Sequence, residues 1–335
     1  MASDKQIATP VVLFLFKRAD KPLQVIRRIA EVQPPRLYLL SDGGRDAKEH
    51  DMVLQCRALI EREITWDCEV IRRYQEQNIG VYRNIAGGAK WVFKREKVAI
   101  FLEDDNLPEI TFFKFCEEML LRYSDDARVL WVCGTNYLEN YSPEDDSSYV
   151  FTKNMMPCGW ASWAEKFNKF YDGELKLWQN PYIRRRLKFE YLYGRLYYQD
   201  KYNLDYEISF KEENGMFYSW DYQMAFSMRA HNVYAIAPKY NQICNIGADL
   251  NATHGGNDLG DVMVDRLCGL KTKSLEFPLK HPATLLIDRN FELKVAKIIL
   301  NPRFFSVRSI VSRFVRKVLG VPFGVTILNF FLKKK

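Results

Sequence analysis

VAIFLEDDNLP, residues 98–108, decides how this chain is read. Val98, Ala99, Ile100, Phe101 and Leu102 form a short apolar run, the right length for a buried strand of a parallel sheet. Glu103, Asp104 and Asp105 follow at once, and Pro108 closes the segment. In open α/β sheets, ligands bind beyond the carboxyl ends of the strands. The run therefore sets three adjacent anions where chemistry normally sits. Adjacent carboxylates repel, so a bound cation is their natural partner. On spacing alone, a metal site and a solvated acidic turn fit equally well.

Upstream, strand and helix alternate. PVVLFLF (10–16) reads as a buried strand, and a helix with Leu23, Ile26 and Ala30 on one face follows it. RLYLLSD (36–42) is a second strand, closed by Gly43 and Gly44. Met52, Cys56, Leu59 and Ile60 mark a helix, CEVIRRY (68–74) a third strand, and NIGVYRNIAGGAKWVF (78–93) a turn and helix. This alternation implies βαβ units and a parallel sheet. Downstream, Phe112, Cys116, Met119, Leu120 and Tyr123 make a helix face, and VLWVCGT (129–135) reads as a further strand.

Polar residues stand at four consecutive strand ends: Arg18, then Asp42, then Asn78 with Gly80, then the carboxylates. Their convergence on one sheet edge points to a ligand pocket. FKRADKP after the first strand lacks the glycines of a dinucleotide fingerprint, and no phosphate-cradling glycine loop ending in Gly-Lys occurs. A diphosphate would then need a metal on the acidic triplet to neutralise it.

In their order and spacing, FKRAD, SDGG, NIG and LEDD resemble the nucleotide-sugar glycosyltransferases of the GT-A fold. They are similar above all to bacterial family 2-like enzymes and the N-acetylglucosaminyltransferase I group. The resemblance spans about residues 10–255. It implies a Rossmann-like α/β domain with a mostly parallel sheet flanked by helices. It also implies a nucleotide-sugar donor, with UDP as its nucleotide, and Mn2+ or Mg2+ as cofactor. By the same resemblance, Phe14, Arg18, Asp42, Asn78 and Gly80 line the nucleotide. Asp105 holds the metal, Asp104 approaches the ribose or sugar, and Glu103 shapes the site. A late His254 in the loop NIGADLNATHGGN (245–257) would add a metal ligand; the plain alternative is a surface residue.

In MMPCGWASWAEKF (155–167), Trp160 and Trp163 follow Gly159 on an expected turn into a helix. Aromatic faces beside a sugar bind its C–H faces, although most Trp simply fill cores. A G-W-A-[ST]-W segment resembles the family's sugar- and acceptor-facing element. In FYSWDYQMAFSM (217–228), Asp221 follows Trp220 at a helix start. An inverting transfer needs one base for the acceptor hydroxyl, and the metal serves the departing diphosphate. W-D-x-Q resembles the family's base motif. The alternative is a helix N-cap; Asp205 and Glu207 are weaker rivals for the base. RRRLKFEYLYGRLYYQDKY (184–202) has no counterpart in the family. It fits a solvated amphipathic helix, a cover over the cleft, an acceptor-phosphate site or a single-strand nucleic-acid surface.

Composition bounds the rest. Of 335 residues, 47% are hydrophobic, ample for a core. Seven scattered Cys, with no C-x-x-C pair, fit buried free thiols in a reducing compartment. Neither a signal peptide nor an apolar run long enough to span a bilayer is read. After Glu292 ten Lys or Arg and no acid occur. Val307, Ile310, Val311, Phe314, Val315 and Val318 share a helical face opposite Arg308, Arg313, Arg316 and Lys317, which reads as a basic amphipathic membrane anchor; the alternative is a helix docked on the core or a dimer interface.

The expected organisation is a transferase domain over 1–280, with a nucleotide half near 8–135 and an acceptor half near 136–280, then a tail over 281–335. The expected protein is an inverting, metal-dependent bacterial glycosyltransferase, peripheral on the cytoplasmic face of the membrane. Its acceptor would be lipid-linked or a surface glycan, with an anionic membrane as partner and no nucleic acid. The rival classes are a sugar-nucleotidyltransferase and a non-catalytic glycan- or nucleic-acid-binding protein.

Overall fold

Burial on both faces explains the first strands. The computed structural model describes residues 6–248 and 259–302, together with 311–312, 315–316 and 318–321. β1 (Val11–Leu15) is buried at every position, as its unbroken apolar run requires. α1 (Asp20–Val32) follows, burying Val25, Ile26, Ile29 and Val32 on one face. β2 (Arg36–Ser41) leads to α2 (Ala47–Arg62), which Asp46 caps through the Glu49 amide at 2.8 Å. Then come β3 (Glu69–Tyr74), α3 (Val81–Val92), β4 (Val98–Leu102), the short β5 (Asn106–Pro108) and α4 (Ile110–Arg122).

The second half begins with β6 (Val129–Cys133), β7 (Tyr149–Thr152), β8 (Trp160–Trp163) and α5 (Ala164–Phe170). Two helices, α6 (Pro181–Leu187) and α7 (Gly194–Asn214), then form an excursion from the sheet. α8 (Asp221–Ala230), β9 (Tyr234–Pro238), β10 (Ile243–Asn245), α9 (Leu259–Leu267) and α10 (Arg289–Ile299) complete the described elements.

Eight strands form one sheet in the order β3-β2-β1-β4-β8-β6-β9-β7. β3, β2, β1 and β4 are parallel; β8 runs antiparallel between β4 and β6; β9 is parallel to β6, and β7 antiparallel to β9. The sheet is thus mostly parallel and flanked by helices. One apolar layer contains residues of α1, α2 and α4, and the other contains residues of α3, α5, α8 and α10. A smaller cluster joins Leu187, Leu196, Tyr197 and Leu204 to Phe226 and Leu300. β5 and β10 pair antiparallel as a separate two-stranded ribbon.

Residues 160–163 form a strand, where the sequence pattern suggested a turn into a helix; the helix starts at Ala164. Trp160 and Trp163 lie at opposite parity on it, so each enters a different apolar layer. Residues 281–302 also pack on the domain. Asp288 accepts from Tyr141 and from the Phe291 amide, and buried Glu292 accepts from Thr152, Lys153 and Asn154. The remainder of the expected anchor lies mostly outside the described residues. Within it, Val311 and Val318 are exposed. Among the described residues, no helix is long and apolar enough to cross a membrane, and all seven Cys are free.

Candidate active site

The acidic triplet sits where β4 ends, and the ribbon beyond it fixes its shape. Fully buried Asn106 donates to Asp105 Oδ1 at 2.8 Å. Its own oxygen accepts the Gly159 amide at 2.8 Å and the Glu103 amide at 3.3 Å. Across the ribbon, Asn245 stands opposite Asn106 and reaches the same Asp105 oxygen at 3.4 Å. The Asp105 carbonyl accepts from the Ile246 amide at 2.9 Å. At Gly247 a Cβ would fall 2.1 Å from Asp105 Oδ2, so a side chain there would displace the Asp105 carboxylate.

From the end of β1, Arg18 reaches across to the triplet. Its guanidinium lies 3.8 Å from Asp104 Oδ1 and 3.7 Å from Asp105 Oδ2, and donates to the Gly247 carbonyl at 3.3 Å. Burial raises the pKa of all three carboxyls. At Glu103 the charges of Asp105, Asp104 and Asp221 push further the same way. At Asp104 the Asp105 charge also raises it while Arg18 pulls back; at Asp105, Arg18, Asn106 and Asn245 pull back. Asp104 and Asp105 thus share the Arg18 guanidinium, and both oxygens it approaches are also placed to meet a cation.

Asp42 organises the neighbouring strand ends. Its carboxylate accepts from the Gly43 amide at 2.9 Å, the Ile79 amide at 2.8 Å, the Gly80 amide at 3.0 Å and the Asn78 side chain at 3.1 Å. Three residues expected at the nucleotide therefore meet. Asp42 is buried, and three of its four donors tie it to the 78–80 loop. Arg57 of α2, unmarked by any sequence pattern, ties the same ends together. It donates to the carbonyls of Asp42 at 3.1 Å and Gln75 at 2.8 Å, and lies over the Tyr74 ring.

Asp221 is the first residue of α8. It does not act as the N-cap: its carboxylate takes the Ser219 hydroxyl instead of a helix amide. Glu207 of α7, considered from sequence as a rival base, holds the loop before it. Fully buried, it accepts the Tyr218 amide at 3.0 Å and the Ser219 amide at 3.1 Å. Burial pushes its pKa up to about 7. This loop also touches the one organised by Asp42. Tyr82 and Phe217 meet edge to face at 5.0 Å, and Arg83 donates to the Gly215 carbonyl at 3.4 Å.

The aromatic residues expected to face a sugar lie instead in the core. Trp160 is sandwiched between Phe101, 3.9 Å away at 12°, and Trp131, 4.1 Å away at 18°. Trp220 leans on both tryptophans, and Phe14 stacks on Phe101 at 6.2 Å. Trp163, in the opposite layer, donates to the Leu120 carbonyl at 2.9 Å with Lys166 3.7 Å above its ring. Trp160, stacked on both sides, has no face left for a ligand. Gly159, with φ +61° and Ile243 where a Cβ would sit, serves close packing next to the triplet.

Among the described residues, no three His, Cys, Asp or Glu side chains are grouped as around a metal ion, and His254 lies outside the described residues. The donors present are carboxylate oxygens of Asp104 and Asp105. That set suits Mg2+ or Mn2+, which are commonly held by one or two carboxylates plus substrate phosphates.

No family model and no curated protein matches the chain. Among solved structures it is similar to the mannosyltransferase PcManGT from Pyrobaculum calidifontis, in complex with GDP-Man and Mn2+. The identity is 11% and the TM-score 0.34, over 50% of this chain and 48% of that one. It is also similar to GalNAc-T7 with UDP, GalNAc and Mn2+, at 12% identity and TM-score 0.37, over 51% and 38%. A third is UDP-glucose pyrophosphorylase complexed with UDP-glucose, at 10% identity and TM-score 0.37, over 72% and 94%. The chain spans half or less of the length of the first two.

Proposed function

We propose that this chain is an inverting, divalent-metal-dependent glycosyltransferase of GT-A type that uses a nucleotide-sugar, with UDP as the favoured nucleotide. The observation that carries the reading is the meeting of Arg18 with Asp104 and Asp105 at the ends of β1 and β4. The charge of Asp221 adds a smaller push to the raised Glu103 carboxyl beside them. Arg18 and the loop 78–80, clamped by Asp42, bind and orient the nucleotide. Asp105, with Asp104, holds the cation. When bound there, Mn2+ or Mg2+ neutralises the departing diphosphate.

Asp221 takes the proton from the acceptor hydroxyl as its oxygen bonds to the anomeric carbon. The bond to the nucleoside diphosphate breaks, and its electron pair leaves with the diphosphate. Attack from the opposite side inverts the anomeric centre, through an oxocarbenium-like transition state of the kind known in glycoside hydrolysis. The acceptor is a lipid-linked or surface glycan, and the enzyme works as a peripheral protein at the cytoplasmic face of a bacterial membrane.

Calorimetry of UDP, with Mn2+ or with EDTA, tests this reading. Affinity should fall sharply in EDTA and in Asp105→Ala. Equal affinity in both conditions would remove the metal from the site. A preference for UTP over UDP would favour a nucleotidyltransferase. Nucleotide-independent glycan binding that survives Asp105→Ala would favour a non-catalytic binding protein.

A further inference from the structure

Residues 181–198 form a surface that the site does not use. α6 ends at Leu187, a single 3-10 turn covers 188–190, and α7 begins at Gly194. The inner side is apolar: Leu187, Tyr191, Leu196 and Tyr197 join the small third cluster. The outer side is unlike an ordinary solvated helix face. Phe189 is 73% exposed, Tyr182 60%, Tyr198 56% and Leu192 42%. Arg185, Arg186, Lys188 and Arg195 are exposed among them. Glu190, the one acid between 181 and 198, is paired with Lys153 at 2.5 Å.

We propose that this outer face of α6 and the start of α7 docks on an anionic lipid bilayer. Its charge complements phosphate headgroups, and its exposed rings and Leu192 suit the boundary between headgroups and acyl chains. A single-stranded nucleic acid also stacks on rings set among cations, so it is Leu192 that favours lipid. Here Arg185 lies over Tyr182 at 6.0 Å, Arg186 over Phe189 at 5.8 Å and Lys188 over Tyr198 at 5.5 Å. Cations stand at those faces, while the exposed remainder of each ring is available to lipid. Leu192 offers a base neither a stacking plane nor a hydrogen bond.

The surface shares a helix with the proposed chemistry. Tyr198 and Glu207 are both on α7, about 14 Å apart along its axis, and Glu207 holds the loop that carries Asp221. Bilayer binding itself needs no turnover, so its test is separate from that of the transferase reading.

Co-sedimentation of the full chain with mixed phosphatidylglycerol and phosphatidylcholine vesicles, and with pure phosphatidylcholine vesicles, decides the matter. Binding should require phosphatidylglycerol. The double variant Arg185→Ala, Arg186→Ala should weaken it about 25-fold, at about fivefold per charge near the surface. Phe189→Ser should weaken it about tenfold, and both proteins should keep the melting temperature of the parent. Sedimentation of both variants like the parent would overturn the proposal. Equal binding to both vesicle types would overturn it as well. So would tighter binding to a single-stranded RNA oligonucleotide that the same variants abolish.

Discussion

Asn106 holds Asp105 in place: its side-chain amide donates to Asp105 Oδ1 at 2.8 Å, while its oxygen accepts the Gly159 amide at 2.8 Å. One fully buried amide thus joins the end of β4 to the start of β8. Removing it leaves a buried glycine N–H without its partner and leaves Asp105 Oδ1 only the longer contact from Asn245. We expect Asn106→Ala to cost about 1–3 kcal/mol of stability, measured by urea unfolding, and to weaken Mn2+-dependent UDP binding. A variant as stable as the parent would show that water replaces the amide at no cost.

Glu207 gives a pH dependence with a definite sign. Its pKa is about 7 in the folded chain, against about 4.3 for an unperturbed Glu. Between these values the folded state holds a proton that the unfolded chain has lost. Stability therefore falls as pH rises through this window, and the loss is complete above about 7. Glu207→Gln keeps an acceptor for the Tyr218 and Ser219 amides without the charge. Its stability relative to the parent should grow from near zero at low pH to on the order of 1–3 kcal/mol at pH 8. Parallel urea curves at pH 5 and 8, with no difference in the gap, would contradict this.

Asp221→Asn should retain nucleotide binding and lose transfer by about 10²–10⁴-fold. The pair of readouts is needed, because loss of both would mean that the loop had collapsed. Turnover equal to the parent on the true acceptor would place the base elsewhere.

Trp160 is a core residue, so its removal should act on folding before it acts on any ligand. Trp160→Ala should cost about 3–5 kcal/mol, and Trp160→Phe considerably less, with UDP affinity unchanged. A well-folded Trp160→Phe whose nucleotide-sugar affinity falls would restore a ligand-contact role to this ring.

The parallel half of the sheet was legible because β1, β2 and β4 are buried along almost their whole length and end abruptly in polar residues. The same punctuation brought Asp42, Asn78 and Gly80 into one expected group, and they do touch. β8 was not legible: WASW points one Trp to each face, so it lacks the alternation that marks a half-buried strand. β5 and β10 are three residues each, too short for any period. A lone Asn106 or Arg57 looks the same in sequence whether solvated or buried; what distinguishes them is a partner far along the chain. The tryptophans read from sequence as sugar-facing are buried, and nothing in their spacing reveals that Phe101 and Trp131 cover Trp160 on both sides.

The position of β4 has a consequence for biosynthesis. One edge pairs with β1, which the ribosome has already delivered; the other awaits β8, which is made only after all of β4, α4, β6 and β7. For several seconds at ordinary elongation rates, a nascent chain would carry an apolar strand with an unpaired edge, a template for association with its neighbours. Glu103, Asp104 and Asp105 stand at the end of that strand. The charges that would later seat a cation can then serve first as gatekeepers, holding growing chains apart until residue 160 arrives.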